Sequence, residues 1–122
     1  MGAAQRNTVL TVTQRVDWAD LVEQDIKGLA PDIIVRRETT KEGALAVIAQ
    51  DAETLLGVIS ERSLTGTIGN EGVEITKAAI DAGVPRAAIL SASPEEVHPS
   101  EGVEVWLKHH TFEEQLRPFL NL

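Results

Sequence analysis

Short apolar runs alternate with segments of helical periodicity along this chain, and no other feature constrains its fold as tightly. TVLTVT (8–13) is rich in β-branched residues, which suit a pleated backbone and predict a strand. In DWADLVEQDIKGLA, Trp18, Leu21, Val22, Ile26 and Leu29 recur at the spacing of one helix face. Asp17 is placed to cap that helix, and Pro31 stops the chain just beyond it. DIIVRR (32–37) predicts a second strand. TTKEGALAVIAQ offers a capping box at Thr39 and Glu42, then a helix with Leu45 and Ile48 turned inward.

TLLGVIS (54–60) is a nearly continuous apolar run, as expected of a strand covered on both faces. After a glycine-rich loop, VEITKAAIDAG predicts a helix closed by Gly83 and then Pro85. AAILSA (87–92) and VEVWL (103–107) predict the fourth and fifth strands. Thr111 and Glu114 form a capping box for a last helix, which Pro118 should end or kink. Residues 92–102 are too short and too rich in proline for a full helix. Strands alternating with helices imply a mainly parallel α/β sheet with helices on both sides.

At 122 residues the chain suits one domain with a real core, spanning 8–122 after an N-terminal extension at 1–7. It has no cysteine, so disulfides and thiolate ligands are excluded, and a cytoplasmic location is expected. A net charge of -8 argues against a nucleic-acid surface, which needs a basic footprint. No apolar run approaches the roughly 18 residues of a membrane span.

The order of several segments resembles a response-regulator receiver domain over residues 8–120. ETTKEGALAVIAQDAETLLGVIS is similar to a receiver's second helix and third strand. SLTG is similar to the turn after the phosphorylated strand, AAILSAS to the fourth strand, and VWLKHHTFEEQL to the lysine loop and last helix. The resemblance implies a flavodoxin-like, doubly wound, five-stranded parallel sheet of order 2-1-3-4-5, with the fourth helix shortened or lost. It also implies phosphoryl transfer to an Asp ending the third strand, with Mg²⁺ held by that Asp and an acidic pair after the first strand. Mg²⁺ demands hard oxygen ligands in near-octahedral geometry.

Carried over by position, the acidic pair falls on Thr13 and Gln14, and neither is a carboxylate. The acceptor falls on Glu61, or on Ser60 if the alignment shifts by one. Glutamate's extra methylene displaces its oxygen, and near-attack geometry tolerates such displacement poorly. Ser91 and Lys108 match the hydroxyl and lysine positions, while His109 replaces the proline after the lysine. Lys108 is expected either to meet Glu61 across the top of the sheet or to stay exposed in a surface ion pair.

The implied function is a pseudo-receiver, a signalling domain that acts through protein–protein contact without phosphorylation, enzymatic activity, cofactor or metal. Its partner is a protein or a second copy forming a homodimer, with Val105, Trp106, His109 and His110 on the contact surface and Trp106 partly exposed. Neither nucleic acid nor membrane is expected as a partner. The alternative is a flavodoxin-like domain binding a small anion or nucleotide at the loop 66–72, since a helix N-terminus behind glycines can hold an anion. That loop matches neither the Walker pattern nor GxGxxG. His98, His109 and His110 have no acid spaced to complete a metal site.

Overall fold

The computed structural model describes residues 6–64, 69–108 and 112–122. Its elements alternate as expected: β1 (Thr8–Val12), α1 (Val16–Leu29), β2 (Ile34–Glu38), α2 (Lys41–Asp51), β3 (Leu55–Glu61), α3 (Glu71–Asp81), β4 (Arg86–Ser91), β5 (Val103–Leu107) and α4 (Glu113–Phe119). The five strands form one parallel sheet of order β2-β1-β3-β4-β5. This is the flavodoxin-like arrangement, with β3 central between β1 and β4. The connection from β4 to β5 holds only a 3₁₀ turn at Pro94–Glu96, so the fourth helix, expected to be shortened or lost, is lost. Among the described residues, no helix is long and apolar enough to cross a membrane.

Side chains alternate along the strands and build two cores. On one face Val9, Ile59, Ala88, Leu90 and Trp106 pack against Val22 and Ile26 of α1 and Leu116 and Phe119 of α4. On the other, Leu10, Val12 and Val58 meet Ala44, Val47 and Ile48 of α2 and Ile75 and Ala79 of α3. The β1–β3 register jumps from Thr8↔Leu55 to Val9↔Gly57, leaving Leu56 as an extra residue. That irregularity lets Leu55 join the α2–α3 core while Leu56 packs on the opposite one. It also sets the parity with which β3 reaches its end at Glu61. Arg6 and Asn7 of the N-terminal extension are tied to the sheet: Arg6 donates to the carbonyls of Ala52 and Leu55, and the Asn7 carbonyl accepts from Ile34 N–H.

The helix starts differ from the sequence expectations. Arg15, not Asp17, is the N-cap of α1, and Asp17 lies in the first turn. Thr40, not Thr39, caps α2, its hydroxyl accepting from Gly43 N–H at 3.0 Å. With the helix one residue later, Glu42 is not at the third position that a capping box requires. The inward face of α2 is Ala44, Val47 and Ile48, and Leu45 is only half-buried. Thr111 lies outside the described residues. The cap position of α4 is Phe112, which makes no side-chain cap bond, and its own N–H donates to Asp25 of α1 at 2.8 Å. A neighbouring helix thus supplies the oxygen that the expected box would have supplied locally. Pro118 sits in the last turn of α4, which ends one residue later.

Candidate functional site

In an open parallel sheet, functional groups gather outside the carboxyl ends of the strands. Here the ends of β1, β3, β4 and β5 deliver Thr13, Glu61, Ser91 and Lys108. A cavity of about 460 Å³ opens at this edge, lined among others by Gln14, Arg15, Glu61, Arg62, Ser91 and Lys108.

Glu61 and Lys108 meet. Lys108 Nζ donates to Glu61 Oε2 at 3.0 Å, with side-chain exposures of 19% and 8%. This is a largely buried pair, not the exposed ion pair of the other expectation. The Thr13 hydroxyl donates to the second oxygen, Oε1, and accepts from Arg15 N–H at 3.0 Å. Both carboxylate oxygens are therefore satisfied from within the chain, as a buried charge requires. Lys108 Nζ also stands 5.4 Å from the centre of the Trp18 ring, whose face attracts a cation. Trp18 Nε1 is buried with no hydrogen-bond partner among the described residues. The Lys108 backbone is fixed in turn, its N–H donating to the Ser91 carbonyl at 3.0 Å.

The remaining predicted positions have local duties or lie apart. Ser60 is fully buried, its hydroxyl donating to the Glu61 carbonyl at 2.9 Å. Glu61, not Ser60, presents its side chain to Thr13 and Lys108. Ser91 is buried, and its hydroxyl accepts from Ser93 N–H at 3.0 Å, turning the chain after β4. Gln14 is exposed at the cavity mouth. Trp106 is 4% exposed, stacked on Phe112 and edge-on to Phe119. Its expected partial exposure is wrong, because side-chain alternation turns it onto α4 and not toward the lost helix. Val105 is half-buried, and His109 and His110 lie outside the described residues.

Two features carried no sequence signal. Arg62 spans the mouth, with Nε on Asn70 Oδ1 at 3.3 Å and Nη1 on Glu96 Oε2 at 3.4 Å. It links the start of α3 to the turn that replaces the lost helix. Arg15 is paired with Asp17 and holds that exposed carboxyl below its ordinary 3.8 through a side-chain hydrogen bond. Much of the loop 66–72 lies outside the described residues. At its end, Gly72 N–H donates to the Arg62 carbonyl at 2.8 Å, and Glu71 accepts from Leu64 N–H at 3.2 Å. These contacts place a carboxylate beside the candidate anion loop, along with the Arg62 guanidinium on Asn70.

The site does not fit a Mg²⁺ ion. Thr13 and Gln14 supply no carboxylate, and Glu61 is already held by an ammonium and a hydroxyl. Among the described residues no cluster of three His, Cys, Asp or Glu could hold a metal. A divalent cation here would have to displace Lys108 and leave it buried without its counter-charge.

No family model matches the chain, and no curated protein sequence does. Solved structures match it closely in fold. The receiver domain of the hybrid histidine kinase CckA superposes with a TM-score of 0.63 at 18% identity, covering 93% of this chain and 95% of that one. A response regulator receiver protein from Sinorhizobium medicae WSM419 gives a TM-score of 0.71 at 12% identity, covering 95% of each. The chain therefore has the fold of receiver domains across nearly its whole length.

Proposed function

We propose that this is a pseudo-receiver: a signalling domain that acts by protein–protein contact, without aspartyl phosphorylation and without catalysis of its own. The observation that carries this reading is the occupied carboxylate. At the position where a receiver would accept a phosphoryl group, Glu61 is buried and already bonded to Lys108 and Thr13. A nucleophilic oxygen must be free to attack, and a transferring phosphoryl group must be neutralised by a metal or cations. Neither condition is met while that pair is closed. The lysine instead holds a fixed carboxylate, which keeps the ends of β3 and β5 in one arrangement.

The test is labelling by acetyl phosphate with Mg²⁺, read by intact mass. The expected result is no phosphoryl adduct on the wild-type chain. An adduct that disappears in Glu61→Gln would overturn the reading. The converse variant, Thr13→Asp/Gln14→Asp/Glu61→Asp, is expected to gain Mg²⁺-dependent labelling, because it restores acidic oxygens at all three positions.

A small-ligand role has one observation in its favour, the cavity of about 460 Å³, which lies in the size range of ligand sites. Thermal-shift screening with inorganic phosphate and nucleotides discriminates it. A ligand at 100 times its Kd would add about 2.7 kcal/mol of stability.

A further inference from the structure

We propose that β5 is an open edge at which a second copy of this chain adds antiparallel. The product would be a symmetric dimer with one continuous sheet and its two-fold axis at Val105. The proposal rests on the edge alone and not on the reading of the Glu61 site. A monomeric protein would remove it and leave that reading standing.

The sheet has two edges, β2 and β5, and they are not alike. β2 carries Arg36 and Arg37, tied by ion pairs to Asp51, Asp20 and Glu23. Charges on an edge strand are how folded proteins prevent strand addition. β5 reads Val-Glu-Val-Trp-Leu, with Glu104 as its single charge. Nor does a helix shield it on the α3 face, since residues 92–102 hold only the turn at Pro94–Glu96. On the opposite face Phe119 of α4 packs on Trp106 of β5 and lies so close to Gly57 of β3 that a Cβ there would overlap its ring.

The backbone parity of β5 suits self-pairing. Lys108 N–H bonds to β4. Residues alternate along a parallel ladder, so Glu104 and Trp106 also turn their backbones to β4, while Val103, Val105 and Leu107 turn theirs outward. Val103 N–H is used by the Ser100 carbonyl at 3.2 Å. In an antiparallel pair centred on Val105, the two Val105 residues exchange both of their bonds. Each Leu107 N–H then meets the Val103 carbonyl of the second copy, the one Val103 group left free.

Side chains and charge agree with that register. Val103, Val105 and Leu107 share one face, opposite Trp106. The two valines are half-buried, and Leu107 is 48% exposed. Centred pairing sets Leu107 against Val103 and Val105 against Val105, an apolar stripe across the axis. Lys108 is committed to Glu61 and lends the edge no charge, so the acidic residues decide the direction. An antiparallel copy keeps the two Glu101 residues at opposite ends of the paired strands, whereas a parallel copy would set like charges side by side.

Sedimentation equilibrium of the whole chain over about two decades of concentration tests this. The wild type should show a reversible monomer–dimer equilibrium. Val105→Lys and Val105→Glu each place like charges on the axis and should each weaken dimerisation at least about tenfold. An equimolar mixture of the two should recover dimers, as mixed pairs. Val105→Pro removes only an outward N–H, which edge strands tolerate. It should keep the circular dichroism spectrum and melting behaviour of the monomer while losing the dimer. A wild type monomeric at every concentration would overturn the proposal and leave the edge to a different protein. A dimer that survives all three substitutions, or a mixture that recovers nothing, would equally overturn it.

Discussion

Lys108 is held by three different interactions, and they predict how its loss is felt. Its ammonium meets a carboxylate with 8% side-chain exposure, its charge faces the Trp18 ring, and its backbone is tied to Ser91. Lys108→Met leaves Glu61 buried with Thr13 as its remaining partner, and stranding a buried charge costs about 3–5 kcal/mol. Replacing both partners strands nothing. Urea unfolding should therefore show Lys108→Met strongly destabilised, with Glu61→Gln/Lys108→Met recovering most of the loss. Equal destabilisation of the single and double variants would mean that the pair is not coupled. Thr13→Val removes the hydroxyl bond to Glu61 together with the acceptor for Arg15 N–H, and should cost about 1–3 kcal/mol in the same measurement. The resemblance implied that Glu61 and Lys108 would stand at the ends of β3 and β5 on the same edge of the sheet, with an exposed lysine as the alternative. It did not show that Thr13, noted only as a missing acid, would supply the second bond.

The ends of the elements explain how the site is braced. α3 starts where Gly72 lies against the end of β3. A Cβ there would overlap the Glu61 carbonyl oxygen and crowd the Arg62 backbone. Gly72→Ala must push α3 away from the strand that carries Glu61, and should lower stability by about 1–3 kcal/mol in thermal unfolding, as overpacking does. Helix caps were the least legible features. Thr39 and Thr40 are adjacent and chemically identical, so composition does not choose between them. Backbone conformation does, and Thr40 has the extended φ and ψ of a cap. The Asp25 bond to Phe112 spans 87 residues and has no local signal at all.

At the scale of the molecule, stability should be indifferent to divalent cations. A metal that binds only the folded state raises its melting temperature by mass action. Thermal unfolding in EDTA and in Mg²⁺ is expected to give the same midpoint, and a Mg²⁺-dependent rise would show a metal site despite the Lys108–Glu61 pair. The α/β order and the five strands were legible because hydrophobic periodicity is repeated over many residues, and the lost helix before β5 because residues 92–102 are short and carry prolines. The burial of Trp106 was not. It follows from which face of β5 meets α4, and so from how α4 packs, which no pattern within β5 records.

The sequence by itself determined the kinds of element, their order, and the absence of carboxylates at Thr13 and Gln14. These are properties of residues and their near neighbours, set by side-chain chemistry and local backbone preference. Tertiary structure alone decided that Glu61 is closed by Lys108 and Thr13, that Trp106 is buried, and that β5 stands at an edge of the sheet. Each depends on register between strands distant in sequence. Register is settled by non-local hydrogen bonds and by packing on two faces at once.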